Sequence, residues 1–172
     1  MKAFNHSEKQ FFQLLEQHKG IVIKVANAYS NTENDRDDLI QEVSYNLWKS
    51  WPNYNPKYKL STWVYTIALN VSISFYRKHS KRVQMYRAIE EVELELIEAE
   101  ELDRTEEVRK LLYRFIGRLR PLDRALMLLY LDEQTYDDMA AALGISKTNV
   151  ATKISRIKKV LKQQFEREER GL

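Results

Sequence analysis

Apolar residues return every three to four positions along nearly the whole chain, and one block of carboxylates breaks that rhythm. Before the block the recurring positions are Phe11, Leu14 and Leu15, then Val22, Val25, Ala26 and Tyr29, then Leu39, Val43 and Leu47, then Val64, Ile67, Ala68, Val71 and Phe75. After it come Val108, Leu111, Leu112, Phe115 and Leu119. Side chains at this spacing share one face of an α-helix and must bury it against another element. The 172 residues include only 4 Gly and 3 Pro, too few for a chain of strands and tight turns. The expected fold is all-α, with two small helical domains over 1–88 and 107–172 joined by an acidic linker over 89–106.

Residues 90–107 hold ten acids against one base, Arg104, a net of −9, so the formal +3 of the whole chain leaves +12 elsewhere. Basic surfaces on both sides of an acidic connector fit a nucleic-acid binder whose linker avoids or imitates its ligand. With 0 Cys, a disulfide scaffold, a thiolate zinc site and a thiol redox switch are excluded. No run approaches 18 uninterrupted apolar residues, and Met1 to Gln10 lacks the apolar centre of a signal peptide. A cytoplasmic chain with no membrane insertion is expected. His6, His18 and His79 are scattered, and neither a Gly-rich phosphate loop nor a nucleophile–base pair is visible. No catalytic residue, cofactor or metal is therefore expected.

Ser7 followed by Gln10 makes a capping box, and two helical segments are expected to meet near Gly20. Asn34 or Asp35 is the expected cap of the next helix, which Trp51-Pro52 stops. A loop over 52–60 follows, and Ser61 is the expected cap of a helix whose outer face carries Trp63, Thr66, Asn70, Ser74 and Arg77. Beyond the acidic block, Arg120-Pro121 breaks the chain before a short helix over Leu122–Leu131, with Pro121 near its first position. Thr135 then caps a short helix carrying Tyr136, Met139, Ala140 and Leu143. Gly144 permits a turn with positive φ, and Ser146 caps a long helix burying Val150, Ile154, Ile157 and Leu161. This is a helix-turn-helix. Six bases and no acid lie between 147 and 162: Lys147, Lys153, Arg156, Lys158, Lys159 and Lys162.

Three surfaces carry recognition chemistry. Asp38, Gln41, Glu42 and Trp48 project from one helix and offer anions with an aromatic anchor, a composition suited to a basic helical partner. A carboxylate metal site there would lack its partnering His or second carboxylate helix. The loop Asn53, Tyr54, Asn55, Pro56, Lys57, Tyr58, Lys59 interleaves rings, amides and cations, as single-stranded DNA requires. Trp63 is as well explained by core packing as by DNA contact. Arg77, Lys78, Lys81, Arg82 and Arg87, with no acid among 77–87, suit phosphates better than base edges. On the last helix Lys147, Thr148, Ala151, Thr152, Ser155 and Arg156 face outward at a spacing that enters a major groove. Arg156 suits a guanine edge, Ala151 or Thr152 a thymine methyl, and Lys158 and Lys159 suit phosphates.

The stretch DDLIQEVSYNLWKSW, then STWVYTIALNVSISFYRK, resembles region two of extracytoplasmic-function sigma factors, and LRPLDRALMLLYLDEQTYDDMAAALGISKTNVATKISRIKKVLK resembles their region four. The resemblance covers about 8–82 and 107–165, in family order. It implies that Asp38, Gln41, Glu42, Leu47 and Trp48 dock on core RNA polymerase. It assigns melted promoter strand to Tyr54, Asn55, Lys57, Tyr58, Lys59, Trp63, Asn70, Arg77 and Lys78. Lys147, Thr148, Ala151, Thr152, Ser155, Arg156 and Lys159 are implied to read a duplex upstream element. It further implies that the linker runs along the polymerase RNA path, and that an anti-sigma factor is among the partners. Thr66 stands where the family commonly has Arg, Leu119-Arg120-Pro121 replaces a Leu-Pro doublet, and Ala151 replaces a polar or basic reader. The resemblance thus specifies a family and no particular promoter.

A dimeric helix-turn-helix regulator is the main alternative, and it requires a self-complementary face and tight duplex binding without polymerase. A carboxylate-metal nucleotide hydrolase is the enzymatic alternative, for which the residues above offer no constellation.

Overall fold

The computed structural model describes residues 7–87 and 104–171, without the side chains of 81–87 and 104. All the regular elements among the described residues are helical. Helix α1 (Glu8–Tyr29) opens on the expected capping box: Ser7 Oγ accepts from Gln10 N–H at 3.3 Å, and Gln10 Oε1 accepts from Ser7 N–H at 3.4 Å. It passes through Gly20 unbroken, contrary to the expected junction. A helical Gly costs only about 1 kcal/mol. Burial of Phe11, Leu14, Val22, Val25 and Tyr29 along the same stripe outweighs it, at about 1.5–3 kcal/mol for each large side chain.

Helix α2 (Glu33–Ser50) is capped by Thr32, whose hydroxyl accepts from Asp35 N–H at 3.1 Å, and not by Asn34 or Asp35. Glu33 and Asp35 fall in the first turn instead, where carboxylates complement the positive end of the helix. A 3₁₀ turn, Trp51–Asn53, carries Pro52. Helix α3 (Leu60–Arg87) begins two residues before the start expected from a Ser61 cap, since Trp63 N–H donates to Lys59 carbonyl at 3.1 Å; Ser61 lies inside its first turn.

The second half contains α4 (Arg104–Gly117), α5 (Pro121–Leu131), α6 (Tyr136–Leu143) and α7 (Lys147–Glu169). Of the expected linker, residues 89–103 lie outside the described residues, while Arg104, Thr105 and Glu106 already belong to α4. Burial on α4 centres on Phe115 and Ile116, and Val108 is exposed, because the C-terminal turns of this helix are the ones that pack. The helix-turn-helix forms as read. Thr135 and Ser146 accept from Asp138 and Asn149 N–H, each at 3.1 Å, and Gly144 takes φ 65° between the two helices. Val150, Ile154, Ile157 and Leu161 are buried. No helix among the described residues is long and apolar enough to cross a membrane.

Helices α1, α2 and α3 pack on one another, and α7 packs on α4, α5 and α6. The halves also meet: α3 lies against α5 and α6, and α1 against α4 and α5. One cluster of buried side chains extends through both. At this junction sits Arg124, only 3% exposed. Its Nη1 donates to Ala28 carbonyl at 2.7 Å, and its Nη2 donates to the carbonyls of Gly117 and, at 3.2 Å, Leu119. Ala28 and Gly117 lie in the last turns of α1 and α4, whose carbonyls lack helical partners, so one guanidinium satisfies the ends of two helices. The rings of Tyr29 and Tyr76 flank it, with centroids 5.0 and 4.7 Å from the guanidinium carbon. Tyr29 also donates its hydroxyl to Pro121 carbonyl at 2.6 Å.

Two outcomes follow from this junction. Arg124→Met leaves three junction carbonyls without this donor and removes a nearly buried guanidinium, and the expected loss is about 1–3 kcal/mol, read as a lowered urea midpoint. Arg124→Lys recovers only part, since an ammonium lacks the planar fork. An unchanged midpoint in the Met variant would remove this role. Burial, opposed by the charge of Arg124, pushes the Tyr29 hydroxyl well above its ordinary pKa of 10.0. The unfolded chain therefore releases this proton first. The associated stability is complete below pH 10 and declines as pH rises further. Tyr29→Phe should shallow the alkaline slope of stability without abolishing it, because Tyr54 and Lys158 are shifted upward too; an identical slope in the variant would contradict the assignment.

Candidate nucleic-acid interface

Along α2 the residues between the buried Leu39, Val43 and Leu47 form an outward stripe. Asp38, Gln41, Glu42 and Trp48 are exposed on it. Leu47 is corrected from the expected docking set: at 0% exposure it faces the core, since it continues the stripe of Leu39 and Val43 at four-residue intervals. Two residues join the surface that sequence reasoning had passed over. Tyr45, 61% exposed, lies three and four residues from Glu42 and Gln41, a relation visible in the sequence. Phe12, 59% exposed, stacks beside Trp48 with centroids 6.5 Å apart, while the buried Phe11 meets Trp48 edge-on at 4.9 Å. Only its place off the buried stripe of α1 marks Phe12 in the sequence. The result is an aromatic shelf bordered by carboxylates.

The loop before α3 divides its rings between support and surface. Tyr54, 7% exposed, stacks on Trp51 with centroids 5.6 Å apart, and Trp63 lies 5.2 Å from Tyr54 and 6.0 Å from Trp51. Tyr54 is thus corrected from a strand-stacking ring to a buried support: its hydroxyl donates to Tyr58 carbonyl at 2.8 Å and fixes the loop's curvature. Burial raises its pKa. Trp63 is half-buried in the same cluster, so packing claims much of its face. Asn55 Oδ1 accepts from Lys57 N–H at 3.0 Å, a turn-forming bond that leaves Lys57 and Tyr58 outward. Tyr58 is 64% exposed. Further along, Asn70, Arg77 and Lys78 are exposed on α3. The side chains of Lys81, Arg82 and Arg87 lie outside those described.

Lys59 does not stand alone. Its ammonium meets Asp138 of α6 at 2.8 Å, and Thr62 Oγ1 lies 3.5 Å from the other oxygen of the same carboxylate. The hydrogen bond from Lys59, and after it that from Thr135, hold the Asp138 carboxyl below its usual range despite partial burial.

On α7, Thr148, Thr152, Ser155, Arg156 and Lys159 are exposed, and Ala151 is half-buried among them. Ala151, Thr152, Ser155, Arg156 and Lys159 line one shallow depression. Thr152 donates its hydroxyl to Thr148 carbonyl at 3.0 Å, and Lys147 pairs with Asp137 at 2.8 Å. Two other cations hold the domain together. Lys153 approaches Asp123 at 3.6 Å. Lys158 donates to the Tyr130 hydroxyl and lies 4.2 Å from that ring's centroid, and the bond raises its pKa. Lys158 thus links α7 to α5 while staying exposed, and Arg156 and Lys159 are exposed beside it.

The chain matches the family models Sigma-70 region 2 over residues 14–82 and Sigma-70, region 4 over residues 109–161. It is 26% identical over 148 residues to the ECF RNA polymerase sigma factor SigE of Mycolicibacterium smegmatis, a match covering 84% of this chain and 57% of that protein. It thus spans little more than half the length of that relative. The fold is similar to that of the sigma factor RpoE of Bartonella quintana, solved in complex with the anti-sigma factor NepR, with a TM-score of 0.70 and 22% identity over 92% of this chain and 98% of RpoE. It is also similar to CnrH, solved in complex with the cytosolic domain of CnrY, with a TM-score of 0.65 and 20% identity over 93% of this chain and 90% of that one. Two models in family order, together spanning most of the residues, and an all-helical fold ending in a capped helix-turn-helix leave one conclusion: the chain belongs to the sigma-70 family and, within it, to the extracytoplasmic-function type.

Proposed function

We propose that this chain directs core RNA polymerase to specific promoters and starts transcription there, acting in the cytoplasm as a non-catalytic factor. One observation carries the reading. A carboxylate-bordered aromatic shelf on α2, a loop presenting Lys57 and Tyr58, and an acid-free stretch of α7 presenting Arg156 and Lys159 occur together on one chain of this family. Residues 1–88 supply polymerase docking and melted-strand capture, 89–106 the connector, and 107–172 the reading of the upstream element. An anti-sigma factor is proposed as a further partner, since both structural relatives were solved with another protein and RpoE's is named as one.

Docking rests on Asp38, Gln41, Glu42 and Trp48, with Tyr45 and Phe12 extending the shelf. Aromatic anchors in a desolvated centre carry most of such an interface, and the carboxylates steer a basic partner. Strand capture combines a base stacked on Tyr58 with phosphates on Lys57, Arg77 and Lys78. Each stacked base contributes about 1–3 kcal/mol, and Asn70 offers an amide to base edges. On the duplex, Arg156 provides a fork for a guanine edge and Lys159 a point charge for the backbone, with Lys147, Thr148, Ala151, Thr152 and Ser155 completing the groove-facing surface.

Transcription reconstituted with core enzyme, with initiation sites mapped across genomic DNA, tests the proposal: discrete new start sites are expected, and none would refute it. The factor should bind core enzyme as a monomer and duplex DNA weakly by itself, whereas tight dimeric binding to a palindrome would favour a conventional regulator. Asp38→Lys with Glu42→Lys should weaken core binding at least tenfold at low salt with helix content unchanged, in keeping with about 1.4 kcal/mol or more of lost complementarity. Arg156→Ala should cost about 1–3 kcal/mol at one preferred base of the upstream element. Lys159→Ala should weaken every promoter alike and lower the salt slope by about one unit. Equal losses for both α7 variants on all DNA sequences would leave that helix an anchor only.

A further inference from the structure

A cleft of about 440 Å³ opens where the last turns of α1 meet α4, inside the span of about 300–1,000 Å³ that small-molecule sites occupy. Its walls carry Lys24 and Asn27 from α1, Asn31 from the connection after it, Arg109 and Tyr113 from α4, and Arg124 from α5. No Asp or Glu lines it. Arg124 is 3% exposed, and the three acceptors of its guanidinium are all neutral carbonyls. Its Nε–H is buried and lacks a hydrogen-bond partner among the described residues. A buried donor left open is uncommon, because it has lost its hydration without a replacement. On a residue that lines a cleft, such a donor points to an acceptor brought by a ligand.

The carbonyl ends of α1 and α4 offset the charge of Arg124 in part, so the pull on an anion comes chiefly from Lys24, Arg109 and the open Nε–H. Arg109 pairs with Glu106 one turn away at 3.3 Å, an exposed pair that a phosphate displaces at little cost. Lys24 uses one of its three donors on Asp132 and keeps the others. Cations alone would suit any anion, and the remaining walls narrow the class. Inorganic phosphate would leave most of the cleft empty. Tyr113, 41% exposed, offers a ring for stacking, and the carboxamides of Asn27 and Asn31 carry donors and acceptors for the edge of a heterocycle. We propose that this cleft binds a phosphorylated nucleoside of mononucleotide size, with its phosphate on Arg109, Lys24 and the Arg124 Nε–H and its base against Tyr113. The site is separate from the strand and duplex surfaces, since none of Lys57, Tyr58, Arg156 and Lys159 lines it. Its walls come from both halves of the chain, so the bound ligand stabilises the folded protein increasingly as its concentration rises.

The test titrates the full chain by calorimetry with adenosine monophosphate, guanosine monophosphate, adenosine and inorganic phosphate, at one fixed ionic strength. Saturable one-to-one binding of at least one mononucleotide is expected, with adenosine and inorganic phosphate each weaker by about tenfold or more, since each makes only part of the contacts. Arg109→Ala and Tyr113→Ala, both at exposed positions, should each weaken the nucleotide by about tenfold, with helix content unchanged by circular dichroism. The double variant Lys57→Ala with Tyr58→Ala, on the strand-facing loop, should bind it as the parent does. Nucleotide binding unaffected by Arg109→Ala and Tyr113→Ala overturns the proposal, and its loss in the loop variant instead assigns the ligand to the strand-binding surface. Absence of saturable binding by both nucleotides overturns it as well, and so does inorganic phosphate that binds as tightly as either.

Discussion

Water scarcely reaches the guanidinium of Arg124, yet carbonyls from both halves of the protein converge on it. An isolated charge at that depth would be prohibitive, and three carbonyl acceptors with two flanking rings make it tolerable. The consequences extend well beyond α5. Because Ala28 lies in the last turn of α1 and Gly117 ends α4, the guanidinium aligns two helix termini by their carbonyl dipoles. Tyr29 closes the same joint by bonding to Pro121, so the angle at which the halves meet is set by directional bonds and not by apolar contact alone. The positions of Lys59 against Asp138 and of Tyr65 against Asp132 depend on that angle.

A second layer of organisation lies in the aromatic residues of the first half. Trp51, Tyr54 and Trp63 form one packed cluster, which shapes the loop that presents Tyr58 to solvent. Trp48 and Phe12 form an exposed pair on the far side of the buried Phe11. Rings of the same chemical kind therefore do opposite work according to which neighbours enclose them. The cations of α7 divide similarly: Lys153 and Lys158 hold the helix to α5, while Arg156 and Lys159 remain available to a ligand. In each case the supporting member positions the available one, and a strand- or duplex-binding surface needs both.

Much of this is legible in the sequence itself. The capping box at Ser7, the caps at Thr135 and Ser146, the buried stripe of α7 and the left-handed turn at Gly144 all arise from residues within four positions of their neighbours in the pattern, and local chemistry suffices to predict them. The same locality explains the misplaced details. Thr32 prevailed over Asn34 and Asp35 as a cap, and α1 ran through Gly20, because several residues had comparable local claims and packing chose among them. The helical class, the two halves, the helix-turn-helix and the basic faces on both sides of an acidic block were determined by sequence alone. Only the tertiary structure decided that Tyr54 is interior, that Phe12 is surface, and that Arg124 is the joint between the halves. It alone also brought Lys59 to Asp138, 79 positions away. Periodicity tells which face of a helix is apolar, but whether a given ring or charge is covered depends on a neighbour remote in the chain, and no local pattern encodes that neighbour's identity.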